Sequence, residues 1–183
     1  MKKRVVVPLA QGFEEIEAVT VIDILRRAGI EVTVAGVSPD PIVGRNGIRL
    51  MADCSISAVE AADVDMVVLP GGAQGAEHLA RCAETQRLVK DAAQQNKYLA
   101  AISAAPAVLS ELGLINGKQI TSHPSVEHKL GSVVYSDKRV VIDGKIITSR
   151  GPGTAMEFAM ALVEILAGKA AADEVNRGVL AKL

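Results

Sequence analysis

Aromatic residues are almost missing from this sequence: they make up 2% of its 183 residues, and tryptophan is absent. Hydrophobic residues nevertheless reach 49%. The core must therefore consist mostly of alanine, valine, isoleucine and leucine, a composition that suits helices packed closely on a sheet. The length fits one domain of ordinary size, and we expect residues 1–183 to form a single domain.

Clustered positive charge is also missing. The formal net charge is −1, and no basic run exceeds the KKR of residues 2–4. Nucleic-acid-binding proteins commonly carry a basic footprint, and RNA-binding proteins often add aromatic stacking platforms. Because the sequence has neither feature, we expect no nucleic-acid partner.

Long apolar runs and metal-ligand spacings are absent as well. The run Val5–Ala10 is short, contains Pro8 and leads into acidic residues, so it indicates a first strand rather than an export signal. No stretch approaches the length that crosses a membrane. Cys54 and Cys82 form neither a CxxC pair nor a zinc pattern, and no nucleotide-binding loop is visible. We expect a cytoplasmic protein with two reduced thiols, no metal and no cofactor.

What the sequence does contain is an alternation of strand and helix patterns. Short apolar runs are typical of strands buried on both faces of a parallel sheet, and they alternate with segments whose apolar residues recur at helical spacing. This order predicts an α/β fold with a mostly parallel sheet. The predicted strands are Arg4–Leu9, Ile30–Gly36, Asp65–Leu69, Lys97–Ile102, Gln119–Ser122, Ser132–Ser136 paired with Arg139–Ile142, and Ile146–Ser149. Asp143-Gly144 between the last two strands is a strong hairpin signal. The predicted helices are Glu14–Ala28, Glu84–Asn96, Ala104–Leu112, Thr154–Ala167 and Ala170–Leu180, and a small hairpin is predicted to turn at residues 45–47.

Ser103 is the first candidate for chemistry. Ligands of open α/β sheets bind beyond the carboxyl ends of the strands, and Ser103 follows a predicted strand directly. Small residues and Pro106 come next, which is the layout of a nucleophile elbow. The usual GxSxG pattern is absent, however. On these residues alone, a surface serine that caps a helix is the favoured interpretation.

Two glycines, Gly71 and Gly72, follow another predicted strand. Glycine allows backbone N–H groups to approach a ligand closely. Gly72 could supply half of an oxyanion hole, with the N–H of Ala104 as the other half. A plain tight turn is the alternative interpretation.

Glu17 and His123 are candidates for proton transfer. Glu17 lies near the start of the first helix, where the helix dipole favours a carboxylate. Glu14 and Glu15 share that position, so one of the three acids could instead face inward. His123 lies in a loop after a short strand, where a general acid or base could be placed. A solvated helix start and an exposed histidine are the competing interpretations.

Several segments together resemble one known family. They are VVVPLAQGFEEIEAV, RRAGIEVTVAG, DMVVLPGGAQGAEHL, AAISAAPAVL, ITSHP and SRGPGTAMEFAMALVEIL. In this order they span nearly the whole chain and resemble the ThiJ/PfpI (DJ-one) superfamily, in its bacterial YajL-like branch. The resemblance implies a flavodoxin-like three-layer sandwich with helices on both faces of the sheet. It also implies a homodimer, formed partly through the first helix (Ile16, Thr20 and Asp23 to Arg27).

The resemblance further implies roles for individual residues. In the family a reactive elbow cysteine lies beside a protonated glutamate, and Ser103 and Glu17 match these two positions. The implied oxyanion donors are Gly72, preceded by Gly71, and Ala104, and the nearby histidine is His123. The residues that match the mouth of the family's pocket are Arg45, Gly151 and Pro152.

The sequence departs from the family at the elbow, where Ser103 replaces the usual cysteine. A positively poised site can lower a thiol pKa into the physiological range, but a hydroxyl needs a general base within reach. Two explanations remain open: an engineered Cys→Ser change, or a natural serine member with altered activity. The first is favoured because the surrounding residues match the cysteine version.

The implied activity is a cofactor-free glyoxalase III-like or deglycase-like reaction on methylglyoxal and similar small reactive carbonyls. Serine at position 103 predicts that this form is weak or inactive. An oxidative-stress-responsive redox sensor or chaperone is the alternative, and a peptidase or amidase is the third hypothesis.

Overall fold

The computed structural model describes residues 2–183 and contains eleven strands and six α-helices. The strands are Arg4–Leu9 (β1), Glu31–Gly36 (β2), Ile42–Val43 (β3), Arg49–Leu50 (β4), Cys54–Ser55 (β5), Met66–Leu69 (β6), Tyr98–Ile102 (β7), Gln119–Ile120 (β8), Val134–Tyr135 (β9), Val140–Asp143 (β10) and Ile146–Ser149 (β11). The helices are Glu15–Arg27 (α1), Ala73–Arg81 (α2), Ala83–Gln94 (α3), Pro106–Glu111 (α4), Ala155–Ala167 (α5) and Lys169–Val179 (α6).

Seven strands form the central sheet in the order β10-β11-β7-β6-β1-β2-β5. All neighbours are parallel except β10 and β11, which pair antiparallel. The chain leaves β1 towards β2 on one side and later returns to β6 on the other side. A crevice therefore opens between the carboxyl ends of β1 and β6, which is where open α/β sheets bind ligands.

Strand residues alternate between two hydrophobic cores, as the two-residue period of a strand requires. Val5 and Val7 of β1 pack with α1, α5 and α6 on one face of the sheet. Val6 packs with α2, α3 and α4 on the other face. Helices on both faces of a mostly parallel sheet confirm the predicted three-layer sandwich. Small residues such as Ala100 and Ala101 in β7 are fully buried, which explains how a chain so poor in aromatic residues fills its interior.

Most predicted elements are confirmed, with three corrections. The prediction that Ser132–Ser136 pairs with Arg139–Ile142 is wrong, because β9 pairs in parallel with β8. The predicted hairpin at Asp143-Gly144 is confirmed, since β10 pairs antiparallel with β11 across that turn. Helix α2 was not predicted at all. Helix α4 is shorter than the predicted Ala104–Leu112, because Ala104 and Ala105 belong to the turn before it.

A small hairpin of β3 and β4 turns at the predicted residues and is held against α1 by Glu15. The carboxylate of Glu15 accepts hydrogen bonds from the backbone N–H groups of Asn46 (2.7 Å) and Ile48 (3.3 Å) and from the Asn46 side chain (3.0 Å). Burial raises the pKa of Glu15, but a hydrogen bond from its own backbone N–H together with those from Asn46 and Ile48 holds it below its usual range. Glu15 therefore fixes the hairpin that carries Arg45.

In residues 2–183, none of the helices combines the length and the apolar character of a membrane span.

Replacing Glu15 with alanine should lower the free energy of unfolding by about 2 kcal/mol, because hydrogen bonds to a charged acceptor are lost. Urea unfolding at neutral pH measures this change. The exposed Glu174 on α6, which has no hydrogen-bond or ion-pair partner among residues 2–183, provides the matched control Glu174→Ala, expected to stay within about 0.5 kcal/mol. Equal effects of the two variants would contradict the anchoring role of Glu15.

Candidate active site

Ser103 lies on the sharp turn between β7 and α4. Its φ is +64°, a left-handed conformation that non-glycine residues adopt uncommonly and that is often found at functional sites. The backbone on both sides is fixed: the Ser103 N–H donates to the carbonyl of Ser149, and its own carbonyl accepts from the N–H of His123, both at 2.9 Å. Ser103 is 8% exposed, so it is not the surface helix cap that the residues alone favoured.

Glu17 faces this turn from the crevice between β1 and β6. Its side chain is fully buried, and Oε2 accepts a hydrogen bond from the N–H of Gly71 at 2.8 Å. The other oxygen, Oε1, is buried without a hydrogen-bond partner of normal geometry among residues 2–183. A buried carboxylate oxygen without a donor favours the protonated form of the group.

The pKa of Glu17 is raised to about 7, mainly because burial penalises the charged form. The hydrogen bond from Gly71 acts in the opposite direction, and the nearby charge of Glu14 raises the pKa further. The Ser103 hydroxyl and the positive charge of Arg45 lower it by smaller amounts. Glu17 is consequently close to half protonated at neutral pH and can either give or take a proton.

The three acids at the start of α1 have three different roles. Glu14 is the N-cap, and its side chain accepts from the N–H of Glu17 at 2.9 Å. Glu15 holds the hairpin, and Glu17 faces the elbow. Glu17 is therefore the acid of the three that faces inward to the elbow.

Gly71 is required by the close approach of the site residues. A Cβ at Gly71 would lie 2.5 Å from Oε2 of Glu17 and 2.7 Å from the Cβ of Ser103. Gly72 has a φ of +88°, and a Cβ there would collide with the backbone of Gly12 and Phe13. Any residue with a Cβ at position 71 would therefore push the Glu17 carboxyl away from Ser103.

Two backbone donors near the elbow remain free. Neither the N–H of Gly72 nor that of Ala104 has a hydrogen-bond acceptor within residues 2–183. Buried N–H groups are normally paired, and Ala104 is only 7% exposed. Free donors beside a nucleophile position suit a developing oxyanion.

His123 is joined to the elbow through its backbone, while its ring is exposed. Nδ1 accepts from the backbone N–H of Ser125 at 3.2 Å and lies 2.8 Å from the Ser125 hydroxyl. Because Nδ1 acts as an acceptor, the neutral ring carries its proton on Nε2. The ring makes no hydrogen bond to Ser103 or Glu17 in the part of the chain that the structure describes, so its catalytic role stays a prediction.

The three residues predicted at the pocket mouth lie on two loops. Arg45 is exposed on the hairpin turn, where its N–H donates to the carbonyl of Phe13 at 2.9 Å. Gly151 lies against the His123 ring, because a Cβ there would be 3.6 Å from Cδ2 of that ring. Pro152 follows at the start of a short 3-10 turn. Their part in binding stays a prediction.

Sequence reasoning missed Ser149 and Thr154, two buried residues that support the elbow. The Ser149 carbonyl holds Ser103, and its hydroxyl lies 2.7 Å from that of Thr154. The Thr154 hydroxyl in turn accepts from the N–H of Gly151 at 3.1 Å. The only sequence signal was their position at the end of a strand and the start of a helix.

The cysteines do not belong to the site. Cys54 lies on the edge strand β5, and burial together with the charge of Asp53 raises the pKa of its thiol. Cys82 lies between α2 and α3, with its thiol donating to Glu84 at 3.3 Å. No group of three or more potential metal ligands is found within residues 2–183.

Comparison with known proteins relates the whole arrangement to one family. The model of the DJ-1/PfpI family matches residues 3–165. The crystal structure of Drosophila melanogaster DJ-1beta is similar with a TM-score of 0.94 and 43% identity, covering 98% of each chain.

Two curated relatives extend the comparison. Protein DJ-1 homolog A of Arabidopsis thaliana is 42% identical over 97% of this chain, but the match covers only 46% of that protein, so the chain spans less than half of its length. The glutathione-independent glyoxalase DJR-1.2 of Caenorhabditis elegans is 38% identical over 85% of this chain and 83% of that protein.

The raised pKa of Glu17 predicts a specific pH dependence of stability. Because the folded-state pKa of about 7 exceeds the ordinary value of 4.5, the stabilisation is fully present below pH 4.5 and is lost as the pH rises through 7. The loss amounts to at most about 3 kcal/mol. Glu17→Gln should remove it, so the difference in free energy of unfolding between the two proteins should change between pH 4.5 and 8.

The exposed residue Glu174 again supplies the control, since Glu174→Gln should follow the unchanged protein at every pH. Parallel stability curves for Glu17→Gln and the unchanged protein would show that the Glu17 carboxyl titrates normally.

Proposed function

The chain belongs to the DJ-1/PfpI family, and from that premise we propose that it has the site of a cofactor-free glyoxalase or deglycase acting on methylglyoxal and similar reactive aldehydes. Serine at position 103 leaves this form weak or inactive. The observation that carries the proposal is the buried Glu17 carboxyl, with a pKa of about 7, beside an elbow residue whose neighbours Gly72 and Ala104 offer free N–H groups. The glyoxalase relative from Caenorhabditis elegans supports the reaction class.

The surroundings of Ser103 suit a thiol better than a hydroxyl. A serine nucleophile needs a general base within hydrogen-bond reach. Glu17 is about half protonated at pH 7, and the ring of His123 is bound to Ser125. A thiol ionises much more easily than a hydroxyl, so it can react without a strong base. We therefore infer that residue 103 is the family's cysteine position.

The proposed reaction belongs to the form with a thiol at position 103. The thiolate adds to the aldehyde carbon of methylglyoxal, and the N–H groups of Gly72 and Ala104 stabilise the resulting oxyanion. A proton delivered through the exposed ring of His123 converts the oxyanion into a hemithioacetal. Glu17 then removes the proton from the former aldehyde carbon and returns a proton to the neighbouring carbon, which produces a lactyl thioester. Water hydrolyses the thioester, giving lactate and the free thiol, so methylglyoxal and one water are consumed without any oxidant or cofactor.

A second copy of the chain is the partner that we propose for the exposed apolar side chains of α1 and the hairpin region. Ile16 and Val19 on α1 are 56% and 41% exposed, and Ile48 and Met51 are 54% and 68% exposed. DJ-1 family proteins are commonly dimeric, in line with this surface. The cytoplasmic location and the bacterial YajL-like branch stay predictions.

Methylglyoxal consumption by this protein and by its Ser103→Cys form is the first test. We expect the Ser103→Cys form to be at least about 100-fold faster, because it supplies the missing nucleophile. Ser103→Ala serves as the control and should equal the unchanged protein. If the Ser103→Cys form consumes no methylglyoxal, the glyoxalase proposal is wrong; selective oxidation of its new thiol by peroxide would then favour the redox sensor.

The role of His123 is tested in the same background. Adding His123→Ala to Ser103→Cys should lower kcat by about 100-fold or more if the ring shuttles protons, while peroxide oxidation of the thiol should change less than about twofold. His128→Ala, an exposed histidine of the same turn, is the matched control. Full turnover without His123 would assign all proton transfers to Glu17.

A further inference from the structure

Two buried donors at the elbow have no acceptor in the protein itself. They are the backbone N–H groups of Gly72 and Ala104, which are free among residues 2–183. Because buried N–H groups normally have a partner, a ligand that brings an acceptor oxygen is stabilised here. The ligand must be small, since Ser103 and Ala104 are only 8% and 7% exposed.

Glu17 provides a third donor whenever its carboxyl is protonated. The side chain is fully buried, and Oε2 accepts from the N–H of Gly71 at 2.8 Å. Oε1 has no hydrogen-bond partner within the described residues 2–183. Because Oε2 is already an acceptor, the proton of the neutral acid belongs on Oε1, which can then donate to a ligand.

Charged groups face Glu17 from two elements. After burial, which is the main cause of its raised pKa, the negative charge of Glu14 at the start of α1 raises the pKa further and the positive charge of Arg45 on the hairpin lowers it. His123 is the other titratable neighbour of the elbow, and its ring contacts Ser125. Serine at position 103 adds no charge, whereas a thiolate there would repel an anion held by the same donors.

We infer that the serine form of this chain binds small carboxylate anions such as lactate at the elbow. One carboxylate oxygen accepts from the N–H groups of Gly72 and Ala104, and the other accepts from the protonated Glu17. Lactate is the product of the proposed reaction, so the choice of ligand rests on the proposed function. The form with a thiolate at position 103 holds the same anion more weakly, because the two negative charges repel each other.

Titration of the unchanged protein with lactate, followed by amide NMR signals, tests this inference without any turnover. Only the protonated form of Glu17 donates, and its pKa is about 7, so the dissociation constant should rise about tenfold from about pH 6 to about pH 8. Lactate stays ionised over this range. The signals of Gly72 and Ala104 should shift. Neutral lactamide should bind at least about tenfold more weakly at the lower pH, and sulfate binding as tightly as lactate would overturn the preference for carboxylates.

Glu17→Gln identifies the group behind the pH dependence. The amide of glutamine donates at every pH, so this variant should bind lactate with an affinity that changes less than about twofold over the same range. Glu174→Gln, at an exposed position of α6, is the matched control and should keep the tenfold change. A pH dependence that persists in Glu17→Gln would belong to another group, such as His123, and would overturn the inference.

Variants at position 103 test the effect of charge. At about pH 8, Ser103→Cys should bind lactate about tenfold or more weakly than the unchanged protein, because part of its thiol is ionised. Ser103→Ala adds no charge and should stay within about threefold. Ser132→Cys, which places a thiol at an exposed serine elsewhere, should leave the affinity unchanged. Equal affinities of the Ser103→Cys and Ser103→Ala forms would contradict the role of charge.

Failure of this inference and failure of the proposed function can be told apart. If the Ser103→Cys form consumes methylglyoxal but the unchanged protein binds no lactate, the binding inference alone is wrong. If lactate binds with the expected pH dependence but the Ser103→Cys form consumes no methylglyoxal, the proposed function is wrong and the carboxylate site stands.

Discussion

The hydrogen bond from the Gly71 N–H to the Glu17 carboxyl is the interaction on which the site depends. It joins α1, the helix that follows β1, to the end of β6, and β1 and β6 are the two strands between which the chain reverses its direction across the sheet. The carboxyl is buried at this contact; burial raises its pKa, while the hydrogen bond itself lowers it. The bond requires a residue without a Cβ at position 71, since Glu17 and Ser103 both approach that backbone closely. One contact thus links the topology of the sheet to the protonation of the site.

The elbow is held from the other side by backbone contacts rather than by side chains. The carbonyl of Ser149 and the N–H of His123 fix the left-handed turn of Ser103. The hydroxyls of Ser149 and Thr154 then connect this turn to the loop at Gly151. Such a chain of buried hydrogen bonds keeps residue 103 in an unfavourable backbone conformation whatever its side chain is. The geometry of the elbow is therefore compatible with either cysteine or serine at position 103.

The order of elements and the elbow could be predicted from the sequence because both depend on local patterns. Buried parallel strands are short apolar runs, and Ser103 follows one of them directly. The partner of β9 could not be predicted, since its pairing with β8 depends on contacts between distant segments. The separate roles of Glu14, Glu15 and Glu17 were also beyond the sequence, because helix-dipole reasoning treats the three carboxylates alike. Ser149 and Thr154 carry no pattern of their own and act through contacts between strand and loop.

A natural serine enzyme would need a deprotonated base at the hydroxyl. Oε2 of Glu17 accepts from the N–H of Gly71, and burial raises the pKa of this carboxyl to about 7, so it is about half protonated at neutral pH. Nδ1 of His123 accepts from the N–H of Ser125. Rotation of the ring towards Ser103 would give up both contacts of Nδ1 with Ser125, so activation of the hydroxyl carries a cost that a thiol avoids by ionising by itself. A protonated Glu17 suits the thiol for the same reason, because a neutral acid can donate to a neighbouring thiolate whereas a carboxylate would repel it. The thiol that we propose for this position has an ordinary pKa of about 8.5, far closer to neutrality than that of a serine hydroxyl.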